Sequence, residues 1–284
     1  MLHVATVHWQ EPRWIEPQLR FMGRNLPEHR VYASLNGIDL DEYGPRFHWA
    51  EDMPGDHHVK LNALAARIGE DAASDDLLLF IDSDAFPIRR VDEEMLADAP
   101  LAAVRRDENA AEPIPHPCFC LTTVGFWQEI DGDWGIGNYH WAAPTGDMIT
   151  DGGANLLAIL EQRSIAWKPL LRTNRHELHP LWFGVYGDAV YHHGAGSRAA
   201  RSFRDTTEAA ASVRAARDRA LIPAGVPVLG RLERSLRYRR GKEQAEQRLV
   251  AIEESTRAMS ERVVEQILTD DEFYRQFTDA PVAG

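Results

Sequence analysis

Cysteine is nearly absent from this sequence: only Cys118 and Cys120 occur. Two thiols one residue apart cannot form a disulfide framework, and with no ligand partners grouped around them they argue against zinc. In an extended segment both would share one face, and free cysteines are among the most buried residues, so they are expected as core thiols in a reducing compartment. Long apolar runs are also missing, and none approaches the length of a membrane span. The first residues, Met-Leu-His-Val-Ala-Thr-Val-His-Trp, show no basic leader ahead of an apolar stretch, so neither secretion nor transit is expected and the location reads as cytoplasmic. Basic residues are in the minority, 31 against 44 acidic, for a formal charge of −13. Such a surface repels phosphate over most of its area, which argues against general nucleic-acid binding. No internal repeat is present.

What is there is an alternation of strand and helix patterns. Leu2 to Val7 is an apolar run that opens into His8, Trp9 and two prolines, and Arg30 to Leu35 repeats the pattern before the turn signal Asn36-Gly37. Between them, Ile15 to Asn25 has helical spacing and stops before Pro27, so the three together predict a βαβ unit. Val59 to Ile68 is a second helix. It leads through a polar turn into Leu77-Leu78-Leu79-Phe80-Ile81, a continuous apolar run of the kind found in a strand covered on both faces. Cys118 to Trp127 reads as a strand or strand pair, Asp151 to Gln162 as a helix, and Ile165 to Leu171 and Ala189 to His192 as closing strands. From about Ser202 the composition turns to Ala, Arg and Glu in helical patterns, with a break at Pro223 to Gly230 and a long amphipathic stretch from about Lys242 to Leu268. The length of 284 residues suits one large α/β domain with a helical appendage.

The chemistry concentrates at Asp82-Ser83-Asp84, directly after the apolar run. Ligands of open α/β sheets bind beyond the carboxyl ends of the strands, and two carboxylates delivered there suit a hard divalent cation such as Mn²⁺ or Mg²⁺. Such an ion can bridge a diphosphate and neutralise the charge that grows on it as a leaving group. His192 and His193 follow another predicted strand, and an imidazole beside carboxylates suits Mn²⁺. The glycines of Gly194-Ala195-Gly196 would let backbone approach phosphate, and Arg198 could offer it a planar fork.

These segments resemble the GT-A glycosyltransferases. Leu77 to Asp84 looks like the DxD strand of that family. Thr150-Asp151-Gly152-Gly153-Ala154-Asn155-Leu156-Leu157 is similar to the acidic helix start that follows the acceptor loop, and Tyr191 to Arg198 is similar to the terminal histidine and glycine-rich stretch. The three occur in family order. The resemblance implies a mixed, mainly parallel sheet flanked by helices, with a catalytic domain over 1–200 and a helical C-terminal module over 201–284. It also implies transfer of a hexose-type sugar from a UDP or GDP donor to an acceptor hydroxyl. By position, Asp84 would hold the metal, Asp82 the metal or the ribose, and His192 or its neighbour His193 the metal. Asp151 matches the general base of inverting members and Asp147 is its rival, but the usual Glu-Asp is Thr150-Asp151 here, so stereochemistry stays open. Thr6 and His8 would lie near the nucleoside, and Lys60 could face the diphosphate.

Other features carry rival expectations. Asp151 also suits a helix N-cap. Trp127, Trp134, Tyr139 and Trp141 could wall an acceptor site, and Trp182 to Asp188 could form a lid. His176 and His179 are three apart and precede Pro180, unlike the four-residue spacing of a zinc protease helix. The basic stretch Arg231 to Lys242 could rest on anionic lipid at the inner face of a membrane, and the C-terminal helices could join copies of the chain. A haloacid dehalogenase-like phosphatase also uses Asp-x-Asp after a strand, and a catalytically silent domain of the same fold is the third reading.

Overall fold

The apolar run becomes β4 (Leu77–Asp82), which is buried along its middle and flanked on both sides by other strands. The structure is a computed structural model, and it describes residues 1–144, 146–194, 196, 203–219 and 227–279. Before β4 come β1 (Leu2–Trp9), α1 (Ile15–Asn25), β2 (His29–Asn36), the short α2 (Leu40–Tyr43), β3 (Trp49–Glu51) and α3 (His57–Asp71). After it come β5 (Ala85–Pro87), β6 (Ala102–Val104), β7 (His116–Thr123), α4 (Val124–Glu129), β8 (Trp141–Ala142), β9 (Met148–Ile149), α5 (Ala154–Gln162) and β10 (Lys168–Leu170). The chain continues through β11 (Gly184–Tyr186), β12 (Val190–His192), α6 (Phe203–Asp218), α7 (Pro227–Thr269) and α8 (Arg275–Thr278).

The main sheet has the order β10-β6-β7-β4-β1-β2-β3. Its ladders are parallel except for the two that β7 makes with β4 and β6. The sheet is therefore mixed and mainly parallel, and helices cover both faces. Alternation along β4 splits the core: Leu79 and Ile81 pack with Ile15 and Met22 of α1, while Leu78 and Phe80 pack with Leu61, Leu64 and Ile68 of α3. A run that is apolar at every position is the sequence cost of burying both faces.

Several local expectations change. The segment read as a strand to Trp127 leaves the sheet at Thr123, whose hydroxyl oxygen accepts the Phe126 N–H at 3.1 Å and starts α4. Cys118 and Cys120 are free and buried but do not share a face. Cys118 packs with the α1 layer and Cys120 with the α3 layer, where the β6–β7 ladder slips register between Ala103 and Val104. Of the expected break at Pro223 to Gly230, residues 223–226 lie outside the described residues; α6 ends at Asp218, and α7 begins at Pro227 and runs 43 residues, through Gly230.

The helical region divides. One compact unit is Met1–Ser197 together with Gln266–Gly284, and the other is Arg198–Glu265. In the second, Ala209 and Val213 of α6 pack on Ala245 and Leu249 of α7. The terminal segment belongs to the first unit because its apolar residues find a core there: Ile267, Phe273 and Phe277 are buried, and Phe273 meets Tyr191 edge-on at 4.7 Å. Arg20 and Arg24 of α1 both pair with Asp271, at 3.1 and 2.9 Å.

Candidate metal centre

Hydrogen bonding of the main chain places the site. β4 ends at Asp82, half-buried Ser83 makes the turn, and Asp84 leads into β5, which pairs antiparallel with β12 so that His192 lies opposite Ala85. The next step of that contact is the His193 N–H donating to the Asp84 carbonyl at 2.9 Å. This pairing carries His192, distant in sequence, to the two carboxylates. His192 Nε2 lies 3.5 Å from Asp84 Oδ1 and 3.9 Å from Asp82 Oδ2. One ligand atom from each of Asp82, Asp84 and His192 falls within 4.8 Å of the others.

The electrostatics follow from burial and proximity. Burial opposes charge on Asp84, but the imidazoles of His192 and His193 and the Gly196 N–H outweigh it and hold the carboxyl below the usual carboxylate range. Burial likewise opposes charge on His192, but Cys118 and Asp84 outweigh it and raise its proton affinity well above that of an ordinary histidine. The Gly196 N–H reaches Asp84 Oδ2 at 2.9 Å, and a Cβ on Gly196 would lie 2.6 Å from that oxygen, so only glycine fits this approach. The backbone approach expected for phosphate is thus spent on Asp84. Arg198 lies outside the described residues.

His193 is not in the cluster. Its ring is enclosed by Trp14 at 4.8 Å and Phe183 at 4.9 Å, with the Tyr191 hydroxyl 3.0 Å from Nδ1. Burial pushes its pKa down to about 3, so it is neutral.

Thr6 and His8 are fully buried and face α1 rather than an open site. His8 Nε2 is 3.1 Å from Gln18 Oε1, and the Thr6 hydroxyl donates to the same oxygen at 3.4 Å. The Gln18 amide then donates to the Asp82 carbonyl at 2.7 Å and to the Ala85 carbonyl at 3.5 Å. Gln18, unnoticed in the sequence, ties the end of β1 to both flanks of the Asp-Ser-Asp turn. Its signal was an amide in the middle of an otherwise amphipathic helix. Lys60 is buried, with its ammonium 4.7 Å from the Trp9 ring centroid. One turn earlier on α3, His57 Nε2 lies 3.2 Å from Asp82 Oδ1.

Asp151 and Asp147 are exposed. Asp151 does not cap α5: the N-cap is Gly153, in a left-handed conformation with φ 101°, and the helix starts at Ala154. The Asp151 carboxylate instead accepts the Gly152 N–H at 2.8 Å and lies 3.9 Å from Arg106, whose guanidinium is locked on Glu112 by two bonds of 2.7 and 3.1 Å. Asp147 sits in the β8–β9 connection, where its carbonyl accepts the Ala143 N–H at 2.9 Å. The expected acceptor wall is core: Trp127 and Trp134 pack on Phe80 at 4.6 and 5.1 Å, and Trp141 is buried against Ile114 and Leu157, with Tyr139 half-buried beside it. The expected lid is a strand, since residues 184–186 form β11 and Trp182 and Phe183 are buried. His179 lies in a turn, its Nδ1 accepting the Leu181 and Trp182 N–H groups.

A mixed, mainly parallel sheet between helices, with an Asp-x-Asp at the carboxyl end of its central strand, is the architecture that the resemblance implies. No family model matches the chain, and no curated protein is significantly similar to it. Among solved structures it is similar to the apo form of the glycosyltransferase GlyE of Streptococcus pneumoniae TIGR4, at 14% identity and a TM-score of 0.36 over 58% of this chain and 44% of that one. A second structure of GlyE gives 16% and 0.37 over 60% and 45%. The galactosyltransferase LgtC, solved with donor and acceptor sugar analogues, gives 13% and 0.30 over 45% and 60%. The chain spans less than half the length of the GlyE chains it matches.

Whether a cation suits these residues is tested by the donors themselves. Two carboxylates and an imidazole each offer one ligand atom, and these atoms all lie within 4.8 Å of one another. That donor set fits Mn²⁺ or Mg²⁺.

Proposed function

We propose that this chain is a metal-dependent glycosyltransferase that moves a hexose-type sugar from a nucleoside-diphosphate donor, UDP- or GDP-linked, to an acceptor hydroxyl. The observation that carries the reading is the convergence of Asp82, Asp84 and His192 at the end of β4. These three residues would hold the divalent cation, which when bound supplies Lewis-acid stabilisation of the departing diphosphate. Asp151, whose side chain is 59% exposed, or its rival Asp147 would take the proton of the acceptor hydroxyl. The acceptor oxygen bonds to the anomeric carbon as the bond from that carbon to the diphosphate breaks, releasing the nucleoside diphosphate. The anomer of the product, read by NMR, gives the stereochemical course.

Calorimetric titration with UDP and with GDP, each with and without Mn²⁺, tests the reading. Nucleotide binding that depends on Mn²⁺ supports it, and no such binding leaves a silent domain. Turnover of a phosphate monoester in place of a nucleotide sugar would point to the phosphatase instead. Asp151→Asn is expected to spare donor binding and lower kcat by about 10²- to 10⁴-fold, the usual worth of a general base.

Among the described residues no helix is long and apolar enough to cross a membrane. Leu229, Leu232 and Leu236 of α7 are exposed at helical spacing among Arg231, Arg234, Arg239, Arg240 and Lys242. We extend the proposal to a cytoplasmic enzyme that rests this stretch on anionic lipid, which co-sedimentation with phosphatidylserine vesicles would detect and phosphatidylcholine vesicles would not. Light scattering would report any oligomer formed through the C-terminal helices.

A further inference from the structure

We propose that His57 is a positioning residue of the metal centre: it holds the Asp82 carboxylate by one oxygen, so that the other faces Asp84 and His192. The inference rests on the metal-centre reading above.

The two carboxylates are arranged alike. Each turns one oxygen toward His192 Nε2: Asp84 its Oδ1, at 3.5 Å, and Asp82 its Oδ2, at 3.9 Å. Each turns the other oxygen outward. For Asp84 that outer atom, Oδ2, is fixed by the Gly196 N–H at 2.9 Å. For Asp82 the outer atom, Oδ1, is buried and takes no hydrogen bond of ordinary geometry, and the nitrogen beside it is His57 Nε2 at 3.2 Å. His57 therefore occupies, beside the outer oxygen of Asp82, the place that the Gly196 N–H occupies beside that of Asp84, as an ion-pair contact rather than a hydrogen bond.

The placement follows from the fold. α3 begins at His57, after Asp56 at its N-cap position, and its apolar residues Leu61, Leu64 and Ile68 fix the helix against the sheet. The first turn is thereby brought to the carboxyl end of β4. The His57 side chain is 43% exposed and belongs to neither core layer, so packing does not account for it. An untethered carboxylate rotates and offers a cation a diffuse target, whereas one held at its outer oxygen presents a fixed lone pair. Outer partners of this kind orient metal ligands generally.

The test is Mn²⁺ titration of the whole chain, by calorimetry and by the EPR signal of free Mn²⁺, for the parent, His57→Ala and His57→Gln. Glutamine keeps an N–H donor at similar reach. His57→Ala is expected to bind Mn²⁺ about tenfold more weakly, as for loss of an outer-shell partner, and His57→Gln to recover most of that loss. Both should melt with the parent, because the residue lies outside the core. Nitrogen modulation in the pulsed EPR spectrum should show one coordinated imidazole in the parent and in His57→Ala alike. Equal affinity of parent and His57→Ala would overturn the inference, and so would a glutamine variant as weak as the alanine one. A nitrogen lost from the spectrum of His57→Ala would make His57 a ligand and overturn it too. A parent that binds no Mn²⁺ is a separate result: it removes the metal-centre reading itself.

Discussion

The two ends of β4 use the same side-chain types to opposite effect. At its start, Asp76 is saturated: Oδ1 accepts from the Met1 ammonium at 2.8 Å, and Oδ2 accepts from the Ala73 N–H at 3.0 Å and pairs with His3 Nε2 at 3.1 Å. At its end, Asp82, Asp84 and His192 crowd together with an Asp82 oxygen left without a hydrogen bond. Carboxylate and imidazole at the first end satisfy one another and fasten β1 to β4. At the second they converge on one another, with His57 Nε2 3.2 Å from the outer Asp82 oxygen. A buried polar group without a partner costs stability, so the first arrangement is explained by what it ties down, and the second is the one that the proposed metal-dependent function would use.

The sharpest way to separate the two ends is to remove one charge from each. Asp84→Asn is expected to weaken Mn²⁺ binding by more than about a hundredfold, beyond the loss typical of an outer-shell change, because it removes a ligand charge. Calorimetry against Mn²⁺ checks this, and near-parental affinity would sink the site assignment. Gln18→Leu comes next. It strands the Asp82 carbonyl, Thr6 and His8 together, and is expected to cost about 2–3 kcal/mol in urea unfolding, the penalty for unpaired buried groups. It should also weaken Mn²⁺ about tenfold by loosening the turn. Asp76→Asn is the converse of the first. It should leave Mn²⁺ affinity unchanged and cost about 1 kcal/mol of stability, since the group is partly open to solvent. If it altered metal binding, the two ends would not be independent.

How much of this could be read from the sequence depended on distance along the chain. β4 and Asp82-Ser83-Asp84 were legible because an apolar run and its terminal carboxylates are contiguous. The choice between His192 and His193 was not, since adjacent residues of a strand face opposite sides and only the β5–β12 register shows which faces Asp84. Gln18 and His57 escaped notice because each acts across the fold, from α1 and α3, on a turn far away in sequence. Asp151 looked like a cap by residue type, but Gly153 turns the chain into α5 two residues later. Trp127 and Trp134 show the limit of composition: an aromatic ring suits a sugar face and a core alike, and here Phe80 at the centre of β4 packs against both rings. The return of the last residues to the first unit depended on Phe273 and Phe277 finding Tyr191, a contact no local pattern announces.

The smallest effects should appear in acid, and they again divide by end. His8, near the site, is buried and its pKa is lowered to about 4 by burial, against the hydrogen bond it makes to Gln18 Oε1 and the charge of Asp84. The unfolded chain takes up that proton near pH 6.5 and the folded one only near 4, so stability should fall as pH drops through this interval. At the far end, burial of Asp76 opposes its ionisation, but the Met1 ammonium, the Ala73 N–H and His3 outweigh it and bring its pKa to about 2. Its contribution is present above the ordinary carboxylate value and is lost as pH falls from about 4 to about 2. Urea midpoints measured from pH 7 to pH 2 should therefore decline in two stages. Asp76→Asn should shrink the lower stage, to which Asp84 also contributes, and leave the upper one; a lower stage that the substitution left unchanged would show that Asp76 does not fasten the start of the sheet.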